Sequence, residues 1–114
     1  HKVDPGSGIL LDGTRDATIS GNTFTNVREE AIKVTGEVNT RLNINSNTML
    51  NPWVSDPGAH PAVLLANATR CLIANNLITD ERAKEGAAPP AIVFEGTCAD
   101  NTVRDNIITG YASE

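Results

Sequence analysis

The sequence predicts an all-β solenoid, a right-handed parallel β-helix of about four coils that is a fragment of a longer β-helix. Three observations predict it: a segment that returns four times with drift, apolar positions that alternate as they do in strands, and an asparagine at a fixed place in every repeat.

The repeat comes first, because a missed period mis-assigns the whole fold. The segment GILLDGTRDATISGNTFTN, Gly8 to Asn26, returns as AIKVTGEVNTRLNINSNTMLN from Ala31, AVLLANATRCLIANNLITD from Ala62 and AIVFEGTCADNTVRDNIITG from Ala91. Coils are therefore expected near 8–30, 31–61, 62–90 and 91–114, in one β-helix segment. A chain of 114 residues has no room for separate cofactor and substrate domains.

The strands follow from the columns. Ile9, Ile32, Val63 and Ile92 form the first, and Leu11, Val34, Leu65 and Phe94, two residues later, form the second, which is strand alternation with one face apolar. Ile19, Ile44, Ile73 and Val103 form a third, and three residues beyond each stands Asn22, Asn47, Asn76 or Asn106, followed two residues later by Phe24, Met49, Ile78 or Ile108. The first column precedes its asparagine by 13, 15, 13 and 14 residues, so spacing inside a repeat holds while the links vary. A chain that winds, each coil rising by about 4.8 Å, satisfies this pattern. Asparagine suits a corner because it tolerates left-handed backbone and its amide can bond to the amides above and below. The alternative is four unrelated strands of a β-sandwich, but an antiparallel meander does not require identical columns. No segment of ten or more residues repeats apolar positions at helical spacing.

Composition narrows the function. Apolar residues make up 39% and charged residues 20%, which builds a core, and with Phe24, Trp53, Phe94 and Tyr111 the only aromatic residues that core is aliphatic. A net charge of −5 and a pI near 4.9 argue against nucleic-acid phosphates and other polyanions as partners. No run reaches the roughly 20 apolar residues of a membrane span, and HKVDPGSG has neither the charge nor the apolar stretch of a signal peptide. Cys71 and Cys98 are too few for a disulfide scaffold or a four-ligand zinc site, and no metal or cofactor is expected. The pair is either disulfide-bonded or two buried free thiols.

With its apolar-x-apolar strand, its I-x-x-N-x-apolar corner and the T-[VI]-x-x-N-x-[FI] phrase of Thr18 to Phe24 and Thr102 to Ile108, the chain resembles the pectin-lyase-like superfamily of right-handed β-helices from Gly8 to Gly110. That resemblance implies the fold and an extracellular or cell-surface setting. It does not choose among polysaccharide lyases, glycoside hydrolases, fructotransferases, uronate epimerases and non-catalytic tailspike-type segments. The polygalacturonase-type phrases N-T-D, D-D, G-H-G and R-I-K are missing, since Asn22-Thr23-Phe24 and Asn47-Thr48-Met49 are apolar where the acid would stand. A pectate-lyase-like cluster of calcium-binding aspartates with a neighbouring arginine is missing too.

Asp4-Pro5-Gly6-Ser7-Gly8 echoes Asp56-Pro57-Gly58-Ala59-His60, so the chain is expected to begin in a turn leaving an earlier coil and to stop where another begins. Solenoid ends expose apolar columns and strand edges. Flanking β-helix coils or a homo-oligomer partner, a trimer in the attachment reading, are expected to cover them.

Chemistry is expected in the links. From corner asparagine to next strand they run ten residues (Asn22 to Ile32), sixteen (Asn47 to Val63) and sixteen (Asn76 to Ile92), so two neighbouring links carry insertions. These hold Trp53, Asp56 and His60, then Asp80, Glu81, Arg82, Lys84 and Glu85. One reading is a rim for a polysaccharide or oligosaccharide, with Trp53, Asp56, His60, Asp80, Glu81 and Arg82 as its binding residues. The other is a solvated charged loop, with Trp53 plugging the body and His60 a turn residue before proline. On the outward strand face, Asp12 and Glu95 share a column three coils apart, roughly 14 Å. A glycosidase pair needs roughly 5 to 10 Å. The expected function is thus the scaffold and sugar-binding rim of a carbohydrate-active β-helix enzyme, itself inactive when isolated; the alternative is a non-catalytic glycan-attachment or tailspike-like segment.

Overall fold

The structure, a computed structural model, describes residues 8–52, 60–81 and 90–111. Among these the chain winds through four stacked coils, and every strand pairs in parallel with its counterpart one repeat away. None of the described residues is helical.

Each coil contributes one strand to each of three walls. The first wall holds Ile9–Asp12, Ile32–Thr35, Val63–Ala66 and Ile92–Glu95 in that order. The second stacks Thr18–Ser20, Asn43–Asn45, Leu72–Ala74 and Thr102–Arg104, and the third Thr23–Thr25, Thr48–Leu50, Leu77–Thr79 and Ile107–Thr109. Between the first and second walls lies a short fourth one, Asn39–Thr40 on Ala68–Thr69, extended by single bridges from Arg15 to Thr40 and from Thr69 to Ala99.

Register follows the columns read from the sequence. Ile9, Ile32, Val63 and Ile92 are successive partners, as are Leu11, Val34, Leu65 and Phe94. Ile19, Ile44, Ile73 and Val103 align in the second wall, and Phe24, Met49, Ile78 and Ile108 in the third. Like stacks on like because each inward side chain needs an apolar neighbour above and below, and a one-residue slip would turn every one of them to water. In the middle coils Ile32, Val34, Ile44, Met49, Val63, Leu65, Ile73 and Ile78 are wholly buried.

Corners create the polar problem. Where the chain bends, main-chain N–H groups leave the strand ladders, and a buried donor must find another acceptor. At the corner between the second and third walls the main-chain N–H and the Nδ2 amide of Asn22 both donate to Oδ1 of Asn47, and Asn47 does the same to Asn76, and Asn76 to Asn106, all at 2.9–3.1 Å. The Nδ2 of each later rung also donates to a carbonyl of the coil below: Asn47 to Ile19, Asn76 to Ile44, Asn106 to Ile73.

The left-handed backbone expected of these asparagines sits one residue earlier. Gly21, Ser46, Asn75 and Asp105 carry the positive φ, and the ladder asparagines do not. One residue turns the chain and the next uses its amide. Equivalent positive-φ residues mark the other corners, at Gly13, Gly36, Asn67 and Gly96 after the first wall and at Asp16, Arg41, Arg70 and Asp100 before the second. A single αL residue is the cheapest way to change strand direction.

Cys71 and Cys98 are both free thiols, the former buried and the latter half-buried. Cys98 is in register with Asn39 and takes over its job: the Ala68 N–H donates to Cys98 Sγ at 3.4 Å, as the Thr14 N–H donates to Asn39 Oδ1 at 2.8 Å. Sulfur is a weaker acceptor than an amide oxygen, so this corner is tied less firmly on the fourth coil than on the second.

Candidate functional site

The corner joining the third wall to the first carries the two long links. Its base is built from strand ends. Glu81 is exposed, but its main-chain N–H donates to Asn51 Oδ1 at 2.9 Å, which ties the start of the second long link to the start of the first. Asn51 has positive φ and passes its own N–H to Thr79 O, so the two links leave the body side by side.

Of the residues expected on a rim, Trp53, Asp56 and Arg82 lie outside the described residues, as do Lys84 and Glu85. His60 is half-buried and engaged by neighbouring groups. Asp80, at the end of the third wall, is only 5% exposed, donates its N–H to Thr109 O, and has partners of its own. Glu81 is the one expected rim residue that the described structure leaves pointing to solvent. Glu30, which the sequence did not single out, is buried at the same corner, where Gly8 N–H donates to its carbonyl. Its signal in the sequence is weak, since a buried acid and an exposed one look alike in a turn.

The outward face of the first wall presents Leu10, Lys33, Leu64 and Val93 in one register column and Asp12, Thr35, Ala66 and Glu95 in the next. Asp12 and Glu95 stand on the outermost coils. No second carboxylate of the described strands in this wall lies on a coil adjacent to either. An acid and its partner must flank one bond, so this wall lacks a hydrolytic pair.

Two charged contacts lie elsewhere on the surface. Arg41 grips Asp16 on the coil below through both carboxylate oxygens, Nη2 to Oδ2 at 2.9 Å, and this hydrogen bond holds the Asp16 carboxyl below the usual carboxylate range. Arg104 meets Asp105 at 2.8 Å. Both pairs are solvent-exposed. Among the described residues no group of three His, Cys, Asp or Glu side chains could hold a metal ion, and no helix is long and apolar enough to cross a membrane.

A groove of about 200 Å³ is lined by Asn75, Asn76, Leu77, Asp105 and Ile107. Leu77 and Ile107 are register partners on the outward side of the third wall and are 38% and 66% exposed. The sequence held a signal for this: Leu77-Ile78 and Ile107-Ile108 each put two apolar residues in succession, so one of each pair must face out.

A family model described as "Right handed beta helix region" matches residues 2–113. No curated protein matches the chain, and no solved structure does.

Proposed function

Because the chain belongs to the right-handed β-helix family, we propose that it is a scaffold segment of a carbohydrate-active β-helix protein and contributes a glycan-contacting rim, not the reacting pair. The observation that carries this is the tie between Glu81 N–H and Asn51 Oδ1. It holds the starting residues of two long links together at the end of the third wall, and recognition is commonly placed on loops held by such a scaffold. Their sequences supply an indole at Trp53 for a sugar face and charged or polar groups at Asp56, His60, Glu81 and Arg82 for hydroxyls. The absence of a carboxylate pair in the described first wall supports the non-catalytic part.

The test is glycan-array binding of the full chain against Trp53→Ala and Glu81→Ala, with turnover measured on fructans, pectins, alginates and glucans. Binding to a neutral or weakly charged glycan, reduced at least about tenfold in Trp53→Ala, is the expected result. No binding to any glycan, or equal binding by both variants and the parent, sinks the rim; measurable turnover sinks the scaffold role.

A second reading, a non-catalytic attachment segment that assembles laterally, is favoured by the exposed Leu77–Ile107 pair. A trimer by sedimentation that Ile107→Lys dissolves would favour it.

A further inference from the structure

Asn39, Asn47 and Asn76 are buried at corners, and each gives both of its Nδ2 hydrogens to acceptors inside the stack. Asn67 keeps one. It is half-buried at the corner after the first wall, with φ of 51°, in a column whose other members are Gly13, Gly36 and Gly96. Its Nδ2 donates to Gly36 O on the coil below at 2.8 Å, and its Oδ1 accepts the Thr97 N–H from the coil above at 3.0 Å. The second Nδ2 hydrogen meets no acceptor among the described residues.

The surface around this amide is bare. Three glycines share its column, and a Cβ on Gly13 would meet nothing within 4 Å. Val38 stands on the coil below, between the Gly36 carbonyl that Asn67 holds and the Asn39 N–H that donates to Asn67 O, and it is 48% exposed.

Asn67-Ala68-Thr69 is also the one place, among twelve asparagines, where a hydroxyl residue stands two positions on with no proline between. The ladder asparagines cannot meet that condition, because the second residue after each turns inward and is Phe24, Met49, Ile78 or Ile108. Asn-x-Thr is the acceptor sequence for N-linked glycans, and so short a motif also arises by chance. The structure adds what the motif lacks, a spare hydrogen on the atom that would carry the sugar.

We propose that Asn67 is a modification site, the acceptor for one N-linked glycan, which the stacked coils carry without losing a bond between coils. The transfer forms a bond from Nδ2 to C1 of an oligosaccharide, breaks the bond from that carbon to the diphosphate of a lipid carrier, and releases one Nδ2 proton. The hydrogen left on Nδ2 serves Gly36 O, and Oδ1 still accepts from Thr97. At Asn47 or Asn76 the same step would break a buried hydrogen bond. The first sugar lies beside Gly36 and shields Val38. This glycan is covalent and sits at the opposite end of the first wall from the long links, so it does not depend on the rim reading.

Secretion of the full chain from yeast, followed by peptide mapping, tests the site. The peptide holding Asn67 should carry a glycan mass that peptide N-glycosidase removes, leaving a heavy-oxygen mark at residue 67 when the digest is run in heavy-oxygen water. Thr69→Ser should keep the glycan and Thr69→Ala should lose it. Trimmed by an endoglycosidase to a single N-acetylglucosamine, the secreted chain should melt together with the unmodified chain made in bacteria, and its Thr97 amide should exchange equally slowly. A secreted chain with a bare Asn67 overturns the proposal. So does a trimmed chain that melts several degrees lower or exchanges Thr97 faster, because glycan and corner would then compete for the same amide. A parent chain retained in the cell while Thr69→Ala is secreted overturns it as well.

Discussion

Asn47 gives both its main-chain N–H and its side-chain Nδ2–H to a single acceptor, Oδ1 of Asn76, at 3.0 Å each. Asn76 in turn serves Ile44 O and Asn106 with its own amide, and both side chains are almost wholly buried. Removing the Asn76 amide strands donors on the coil below and acceptors on two coils. Each buried unsatisfied group costs about 1–3 kcal/mol, so Asn76→Leu should lose about 3 kcal/mol or more. Asn22→Leu, at the half-exposed first rung, should lose about 1 kcal/mol. Urea midpoints at constant slope measure both, and equal losses would mean that the ladder is not cumulative.

Ile73 is wholly buried between its register partners Ile44 and Val103. Ile73→Ala should cost about 2–5 kcal/mol through lost transfer energy and the cavity left behind. Asp12→Ala, exposed at the edge of the first wall, should stay within about 0.5 kcal/mol. Similar denaturation midpoints for the two would reverse the inward and outward assignments.

Gly13 and Gly36 occupy the same corner on neighbouring coils, with φ of 62° and 99°. A Cβ on Gly13 would meet nothing within 4 Å, but one on Gly36 would come within 2.7 Å of Gly13 N and 2.5 Å of Asp12 Oδ1. Gly13→Ala should therefore cost only the left-handed penalty, about 1–2 kcal/mol, and Gly36→Ala clearly more. Thermal melts of the pair read the difference directly.

Burial pushes the Cys71 thiol above its usual value, and Cys98 nearby adds to the shift. The thiolate is the reactive form, so Cys71 should resist alkylation in the folded chain at neutral pH. Mass mapping after brief iodoacetamide treatment should find the label on Cys98 first and on Cys71 only in denaturant. Early labelling of Cys71 would mean that the corner opens on its own.

The Arg41 hydrogen bond lowers the Asp16 carboxyl from 3.8. A group depressed by folding stabilises the fold above its unfolded pKa, and that stabilisation fades as pH falls through the lowered value. Both side chains are exposed, so Asp16→Asn should melt close to the parent at pH 7, and the small gap should close once the pH falls below the lowered Asp16 value and in 1 M salt. A gap that persists in acid would assign Asp16 some other partner.

Legible in the sequence was what repetition encodes: four coils of parallel strands, the inward columns and the line of corner asparagines. A stacked column is legible because each member satisfies the next with its own kind, so burial writes the same residue class at the same phase four times. Tertiary structure alone decided the rest. The sequence could not say that Ser46 and not Asn47 takes the left-handed turn, because that depends on which amide must reach an acceptor 29 residues away. Nor could it tell Asp80 from Glu81, adjacent acids in one turn. The first closes the third wall and is buried, while the second is anchored only by its main chain and faces water, a distinction set by which coil passes above. The corner role of Cys98 stayed hidden for the same reason: a thiol stands where Asn39 stands only once the coils are stacked, since its equivalence lies in the N–H beneath it. Hydrophobic burial acts on residue type and survives in the sequence, whereas hydrogen-bond partnership acts on position and appears only when the chain has wound.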